Sequence, residues 1–245
     1  MEDIHLRMRR LKKGRSRAAY DYNTRSGSCA LKDEASDLVA VIKTGLPSWA
    51  EADPRRFFEA ADKWERQNGS AAVSIEAALP AELTVEQNIQ MVKEFVSEQV
   101  PGKACVVAFH MGTAALTGLP QPHFHSLHSN RVMDGIDRPA ERYFARANAK
   151  HPERGGCKKD SGGKHMGEMK AELKELRAAY AAKVNEHLVM NGHEAHVDHR
   201  SFAERGLPRM PERHLGQAKV RSMSAEERKT FVEQRGSPTA NGYSR

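Results

Sequence analysis

The sequence predicts an α+β protein in which helices cover a sheet. Two patterns support this fold class. Some stretches alternate apolar and polar residues, which is typical of strands, whereas others repeat apolar residues every three or four positions, which is typical of helices. The two patterns follow one another without the regular strand–helix–strand alternation of a parallel sheet, so we expect the two kinds of element to be mixed irregularly.

The chain opens with a predicted strand and a short predicted helix. Residues 4–9 (IHLRMR) alternate apolar and polar side chains. After Gly14, the stretch SRAAYDYNT contains good helix formers, and Ser16 can cap its first turn. Both elements lie in a basic stretch, because residues 5–25 hold eight Lys or Arg and a single acid, Asp21.

The middle of the chain carries further elements, each with its own signal. Asp53 followed by Pro54 begins a helix that Gly69 ends. Thr84 and Gln87 form a capping box for the next helix. The predicted order is a helix over 53–69, a strand over 72–79, a helix from Thr84, and strands over 104–110 and 122–129.

The last third of the chain is predicted to be mostly helical. Its predicted elements are, in order, a helix over 139–148, a mobile loop over 150–167, a helix over 169–190, and an isolated helix that a Ser224–Glu227 capping box begins. We assign residues 1–216 to one folded domain. Residues 217–245 form a basic tail that we expect to be partly helical or disordered.

The composition narrows the function classes. The 245 residues include 39 Lys and Arg against 32 Asp and Glu, and the net charge of +7 favours a polyanionic partner such as nucleic acid. Three widely spaced cysteines without a Cys-x-x-Cys pair fit a reducing cytosol. We expect no signal peptide and no membrane insertion, because no apolar stretch is long enough. Phosphate-loop and nucleophile-elbow motifs are absent, so nucleotide hydrolysis and acyl transfer lack support.

The basic side chains are candidates for DNA contacts. A run of cations can equally be a solvated face, so the charge pattern alone leaves both interpretations open. The side chains that we expect to contact DNA are Arg10, Lys12, Lys13, Arg15, Arg17, Arg25, Arg131 and Arg138.

Three histidines are candidate metal ligands. His123 and His125 flank Phe124 in a predicted strand, and residues two apart point to the same face of a strand. His110 ends the preceding predicted strand, and its imidazole can reach the same point if the two strands are neighbours. Three imidazoles leave coordination positions open for substrate oxygens. In a chain with twelve histidines, a chance His-x-His pair on a half-exposed strand is the alternative.

A second histidine group is a weaker candidate. His193, His196 and His199 have a spacing that suits one helix face, but Gly192 and Val197 weaken the helix prediction. The group has no nearby Cys and no Glu at metalloprotease spacing, so it matches no zinc pattern. We interpret His196 and His199 as polar surface or DNA-contact residues.

Several short motifs follow one another in an order typical of a known family. They are the IHL strand, the tyrosine segment, ALPAELT, HFH, DGIDRP, KHPERGG, VDHRSF and RHLG. Together they resemble the MobA/MobL family of plasmid mobilisation relaxases, which are DNA-strand transferases of the HUH endonuclease class. The chain departs from the family pattern in a longer stretch between His110 and His123, in His128, where the family mostly has an apolar residue, and in a shorter stretch ahead of the tyrosines.

The resemblance implies a fold and a chemistry. It implies a five-stranded antiparallel sheet flanked by helices, with His110, His123 and His125 holding a divalent metal, Mn²⁺ or Mg²⁺, on central strands. A tyrosine of the N-terminal segment would nick one strand at an origin of transfer, form a 5′-phosphotyrosine link and later rejoin the strand. The implied partners are single-stranded DNA, relaxosome accessory proteins and a type IV secretion coupling protein. The implied location is the bacterial cytoplasm, with transfer to the recipient alongside the DNA.

Two tyrosines compete for the role of nucleophile. Residues two apart on a helix lie about 200° apart around its axis, so only one of Tyr20 and Tyr22 can face the metal. Tyr22 is followed by Arg25 and Gly27, which matches the family's Tyr-x-x-Arg-x-Gly spacing. We therefore assign Tyr22 as the nucleophile and expect Tyr20 to pack or to stack on a base.

Two acids are candidates for supporting roles. Glu76 lies opposite the apolar face of its predicted strand, and we assign it to accept the second N–H of a ligand histidine and so fix the tautomer. An exposed strand carboxylate is the alternative for this residue. Glu82, within ALPAELT, is the weaker candidate.

Two other functions stay open on the sequence. A rolling-circle replication initiator uses the same chemistry, but in that family the His-x-His usually precedes the tyrosine, whereas Tyr22 precedes it here. A non-catalytic single-stranded DNA-binding protein would not require the tyrosine and the three histidines that this chain retains. A relaxase and a replication initiator would both form a covalent protein–DNA adduct, whereas a non-catalytic DNA-binding protein would not.

Overall fold

The fold comes from a computed structural model that describes residues 2, 3, 5–30, 37–160, 164–208 and 215–233. Its strands are β1 (Glu2–Asp3), β2 (Leu6–Lys12), β3 (Leu38–Thr44), β4 (Ser70–Ala78), β5 (Lys103–Thr113), β6 (Pro120–Val132), β7 (Lys158–Lys159) and β8 (Val197–Asp198). Its helices are α1 (Ser16–Asn23), α2 (Ser48–Glu51), α3 (Arg55–Trp64), α4 (Val85–Gln99), α5 (Ala140–Tyr143), α6 (Met166–Met190), α7 (Gln217–Ser222) and α8 (Ala225–Glu233).

Five strands form the main sheet in the order β2–β4–β6–β5–β3, and every neighbouring pair is antiparallel. The short strand β7 pairs with the end of β6 outside this order. Strands β1 and β8 pair in parallel in a separate two-stranded sheet. The predicted α+β fold, an antiparallel sheet of about five strands flanked by helices, is therefore confirmed.

A separate hydrophobic core covers each face of the main sheet. On one face, which we call the back face, α4 and α6 pack Phe95 and Tyr180 against Phe109 and Phe124 of the sheet. On the other face, α1, α3 and α5 cover the part of the sheet that carries Leu127. We call this second face the site face, because strand alternation places the candidate metal ligands on it.

Two helices begin where side-chain caps place them. Helix α6 starts at Met166, three residues before the predicted position, because the imidazole of His165 accepts hydrogen bonds from the backbone N–H groups of Gly167 and Glu168. Helix α8 follows Ser224, whose hydroxyl accepts from the backbone N–H of Glu227 as the capping box predicts. Residues 234–245, predicted to be disordered, lie outside the described residues.

The predicted helix over 139–148 is wrong beyond Tyr143, where α5 ends. The carbonyl of Phe144 accepts a hydrogen bond from the buried guanidinium of Arg131, and the carbonyl of Tyr143 accepts one from the backbone N–H of Cys157. These distant partners take carbonyl groups that a longer helix would use for its own hydrogen bonds.

The stretch 150–167, predicted to be a mobile loop, is fixed in part of its length. Gly155, Gly156 and Cys157 are buried, and β7 follows them in register with β6. A Cβ atom on Gly156 would lie 2.3 Å from the carbonyl oxygen of Ala145, so only glycine fits this close approach. Residues 161–163 lie outside the described part of the stretch.

No helix among the described residues is long and apolar enough to cross a membrane.

Candidate active site

Three imidazoles meet on the site face of the two central strands. His110 of β5 pairs directly with His123 of β6, and His125 follows two residues further along β6. The ring centroids lie 5.2 Å apart for His110 and His123, 5.3 Å for His110 and His125, and 5.1 Å for His123 and His125. The structure therefore brings together the three side chains that the sequence singled out.

The protonation of these rings suits metal binding. Burial lowers the pKa of His110 and lowers the pKa of His125 to about 4, so both imidazoles are neutral at neutral pH. The Nδ1 of His110 lies 3.1 Å from the carboxylate oxygen Oδ1 of Asp37 and donates to it when neutral. The Nε2 of His110 then carries the lone pair, and this atom is buried without a hydrogen-bond partner in the described structure.

The arrangement fits a divalent metal in its residue types but is not closed around one. Metal–nitrogen bonds to imidazole are about 2.0–2.1 Å long, which places three ligand rings roughly 5 Å apart. Within the described part of the chain, no group of three His, Cys, Asp or Glu side chains already surrounds a point that could hold an ion. Ligation would therefore require a ring to rotate, and the least buried of the three is His123, whose Nδ1 lies 2.9 Å from the carbonyl oxygen of Gln121.

The two tyrosines of α1 point in different directions. The ring of Tyr22 lies edge-on to His125, with 6.2 Å between the ring centroids, and the residue is 39% exposed. The ring of Tyr20 stacks on Phe58 of α3 at 5.4 Å. The half-turn separation that the sequence predicts is thus present, and Tyr22 is the tyrosine beside the histidines.

A side chain of α3 holds the first turn of α1 in place. The carboxylate of Asp62 accepts hydrogen bonds from the backbone N–H groups of Gly14, Ser16 and Arg17 and from the hydroxyl of Ser16, over 2.7–3.0 Å. Asp62 thereby satisfies N–H groups that lack partners inside the helix. At the other end of α1, Arg55 donates two hydrogen bonds to the carboxylate of Asp21.

Arg25 joins the tyrosine to the histidines. It has a positive φ of 51°, and its guanidinium lies 4.9 Å from the centroid of the Tyr22 ring. The same guanidinium donates to both carboxylate oxygens of Asp37, at 3.0 and 2.8 Å, and Asp37 bonds in turn to His110. Burial by itself raises the pKa of Asp37, but its hydrogen bonds with Arg25 and His110 outweigh burial and hold that pKa below its ordinary value.

Glu76 lies on β4 directly opposite His125. The Nε2 of His5 lies 3.9 Å from its carboxylate; His5 lowers the pKa of Glu76 against the effect of partial burial, and His125 acts in the same direction. Glu76 is therefore an ionised carboxylate beside the cluster. Glu82, the weaker candidate, instead faces His196 at 3.4 Å.

The predicted DNA contacts fall into different surroundings. Lys12, Arg15 and Arg17 are exposed, and Lys13 is partly exposed. Arg10, by contrast, lies on the back face and donates to Glu172 of α6 at 3.0 Å.

Three of the predicted DNA contacts need correction. Arg131 and Arg138 are 2% and 3% exposed, and each pairs with a carboxylate, Glu65 and Asp134 respectively. The side chain of Arg25 is 7% exposed and pairs with Asp37 as described. Because these guanidinium groups are already bonded inside the fold, they are not free to contact phosphates.

The sequence prediction missed Asp37. No periodic pattern or motif marks this residue, which immediately precedes β3, a strand that was also not predicted. The antiparallel pairing of Leu38 with His110 brings it to the cluster, so only the pairing of strands distant in sequence reveals it.

Comparisons with known proteins identify the family of this chain. The sequence model of the MobA/MobL family matches residues 6–226. The 43 kDa relaxation protein of Salmonella typhimurium is 37% identical over 210 residues, which cover 85% of this chain and 56% of that protein. Mobilization protein A of Escherichia coli is 37% identical over 207 residues, which cover 82% of this chain and 27% of that protein. The chain therefore spans about half and about a quarter of these two relatives.

One solved structure shares the fold. It is described as the molecular basis of vancomycin resistance transfer in Staphylococcus aureus, and it superposes with a TM-score of 0.55 at 19% sequence identity. The match covers 82% of this chain and all of that one.

Proposed function

This chain belongs to the MobA/MobL family, and from that premise we propose that it is the nicking and strand-transfer domain of a conjugative relaxase. The observation that carries the proposal is the position of Tyr22, whose ring lies 6.2 Å from His125 in a cluster of three imidazoles. An exposed phenol beside neutral imidazoles is a nucleophile placed next to a metal-binding group.

In the proposed reaction, the phenolic oxygen of Tyr22 attacks a DNA phosphodiester. A bond forms between this oxygen and phosphorus, and the bond from phosphorus to the 3′ oxygen breaks. The proton of the phenol ends, through solvent, on the 3′ hydroxyl that leaves. The resulting 5′-phosphotyrosine keeps the energy of the broken ester, so the reverse reaction can rejoin a strand without ATP.

His110, His123 and His125 are the residues that we propose to hold a divalent metal, Mn²⁺ or Mg²⁺. When bound, the metal supplies positive charge to the non-bridging phosphate oxygens. Asp37 fixes the tautomer of His110 by accepting from Nδ1, which leaves Nε2 as the ligand atom. The ionised carboxylate of Glu76, opposite His125, adds negative charge that favours a cation at the cluster.

The further partners are also part of the proposal. Single-stranded DNA at an origin of transfer is the substrate. We propose that accessory proteins of a relaxosome and a type IV secretion coupling protein act with this domain. The domain would work in the bacterial cytoplasm and pass with the DNA into the recipient.

Adduct formation tests the proposed reaction. Wild-type protein is incubated with Mn²⁺ and labelled single-stranded oligonucleotides tiled across the plasmid region beside the gene, and covalent species are resolved on a denaturing gel. We expect an adduct that Tyr22→Phe loses entirely while its affinity for the oligonucleotide stays within a few-fold, because only the attacking oxygen is removed. Chelation should stop adduct formation but not binding.

A pair of histidine variants controls for the metal. His125→Ala should abolish the adduct, and His196→Ala, which removes an imidazole facing Glu82 outside the cluster, should preserve it. Binding by the wild type without any adduct on any tiled oligonucleotide would refute the proposal and favour a non-catalytic DNA-binding protein.

A further inference from the structure

The two faces of the edge strand β2 carry different kinds of arginine. Side chains alternate between faces along a strand. Arg10 points to the back face, where it pairs with Glu172 of α6, as Leu6 points into the back-face core. Arg7 and Arg9 have the opposite orientation and are exposed on the site face.

Strand register places Arg7 in one row with the candidate active site. Arg7 pairs with Glu76, and Glu76 pairs with His125. The complete row runs across the site face through Arg7, Glu76, His125, Ala108 and Val41. Because neighbouring strands are about 4.8 Å apart, the backbone of Arg7 lies roughly 10 Å from that of His125.

The opposite edge of the site face is apolar beside the histidine cluster, and Lys43, further along β3, donates to the backbone carbonyl of Glu51. Val39 and Val41 of β3 are 44% and 45% exposed, whereas Ala40 and Ile42 between and beyond them pack into the back-face core. The histidine cluster therefore lies between a cationic edge on β2 and an apolar edge on β3.

The arginines of the β2 edge are available to a ligand. Across the described residues, the side chains of Arg7 and Arg9 make no hydrogen bond or ion pair, whereas Arg10, Arg25 and Arg131 each bond to a carboxylate. An exposed guanidinium without a carboxylate partner pairs readily with a phosphate.

This inference rests on the proposed function. We propose that single-stranded DNA crosses the site face from one edge strand to the other, across the direction of the strands. Its phosphates contact Arg7 and Arg9 on the β2 edge, and its bases or sugars contact Val39 and Val41 on the β3 edge. The row from Arg7 to Val41 passes His125, so a strand on this path presents a phosphodiester to the histidine cluster and to Tyr22.

The two edges contribute to binding in physically different ways. Each phosphate contact on a single strand releases counterions and adds about 0.7 to the slope of log affinity against log salt. Apolar contacts release no counterions, so removing them lowers the affinity without changing this slope.

Fluorescence anisotropy with labelled oligothymidylate at several salt concentrations tests the path, because phosphate contacts are independent of sequence. Arg7→Ala/Arg9→Ala should reduce the salt slope by about 1.4, while Arg7→Lys/Arg9→Lys should keep most of it. The matched control, Lys93→Ala/Lys170→Ala, removes the same charge from exposed positions on α4 and α6, the helices of the back face, and should leave the slope near the wild-type value. Val39→Ser/Val41→Ser should weaken binding several-fold at an unchanged slope.

The outcomes separate this inference from the proposed function. If the wild type forms a covalent adduct but the Arg7/Arg9 and Lys93/Lys170 alanine variants lose the same slope, the path is wrong and only the net charge matters. If the valine variant binds as the wild type does, the β3 edge is not part of the path. Absence of an adduct with the wild type bears on the proposed function alone. Thermal melting of each variant excludes misfolding as the cause of lost affinity.

Discussion

The two ends of strand β6 both carry ionisable side chains, but they differ in how completely those side chains are bonded. Near its start, His125 makes no hydrogen bond through its ring among the described residues, and the Nε2 of nearby His110 is buried without a partner. Near its end, Arg131 donates to both carboxylate oxygens of Glu65 and to three backbone carbonyls.

The carboxylate that pairs with Arg131 is also fully bonded, which increases the difference between the two ends of β6. Burial alone raises the pKa of Glu65, but hydrogen bonds led by those from Arg131 outweigh it and hold that pKa below its ordinary value. Lys159 of β7 adds a further contact to the same carboxylate at 3.0 Å. The Arg131 end therefore has no bonding capacity left for a ligand, whereas the histidine end does. The comparison teaches that unused bonding capacity, rather than residue type, separates a candidate site from a structural network.

The largest expected effect is a loss of stability on removal of Arg131, whose hydrogen bonds are all in use. Arg131→Ala leaves Glu65 buried without its main partner, which should cost about 3–5 kcal/mol of the free energy of unfolding. For a chain of this size, the melting temperature should then fall by roughly 10 °C. Thermal melting followed by circular dichroism measures the change, with exposed Arg15→Ala as a control that should melt as the wild type does.

A different result for Arg131→Ala would remove the contrast between the two ends. If its melting temperature is unchanged and the salt slope of DNA binding falls by about 0.7, Arg131 is a phosphate contact and the sequence-based assignment was right.

A smaller effect is expected at the open end. Asp37→Ala removes the acceptor that orients His110, and loss of such a partner typically weakens metal affinity by about 10–100-fold. Isothermal titration of Mn²⁺ into the wild type and the variant measures it. Arg25→Ala, which releases Tyr22 but keeps the bond between Asp37 and His110, should bind Mn²⁺ with nearly wild-type affinity and form the adduct more slowly.

The control for this prediction is Asp137→Ala, whose carboxylate bonds to Ser48 far from the cluster. Equal Mn²⁺ affinities for the wild type, Asp37→Ala and Asp137→Ala would show that the carboxylate does not support the metal-binding group.

The smallest effect is expected from Tyr20→Phe. The substitution keeps the ring that stacks on Phe58 and removes only a hydroxyl, so the rate of adduct formation should stay within about threefold of the wild type. Time courses on denaturing gels for Tyr20→Phe and Tyr22→Phe, side by side, provide the measurement. Loss of the adduct in Tyr20→Phe and its retention in Tyr22→Phe would reverse the assignment of the nucleophile.

Local patterns in the sequence predicted much of the fold and part of the site. Alternation revealed β2 and β4, the two histidine strands were predicted as buried strands, and the capping box at Thr84 is present with both of its hydrogen bonds. The angle between neighbouring helix positions separated Tyr20 from Tyr22. These features depend on residues close together in sequence, where periodicity carries the information.

The features that the sequence did not predict depend on distant partners. The helix predicted over 139–148 stops early because Arg131 and Cys157 bond to its carbonyls. Asp37 reaches His110 only through the pairing of β3 with β5. Arg7 and Arg10 are both arginines of the same basic strand, and the local sequence does not distinguish them. Only the packing of α6 onto one face of β2 shows that Arg10 is paired with a carboxylate and Arg7 is not.

The capping of α1 by Asp62 makes the reactive geometry a late product of folding. An isolated helix of eight residues is marginal in water, because forming its first turn fixes several dihedral angles for one hydrogen bond. The cap that stabilises this helix lies 46 residues from Ser16, so its contribution appears only after a long loop has closed. In a nascent or partly unfolded chain, Tyr22 therefore lies on a segment without a fixed direction. Its hydroxyl is then not held beside the histidines.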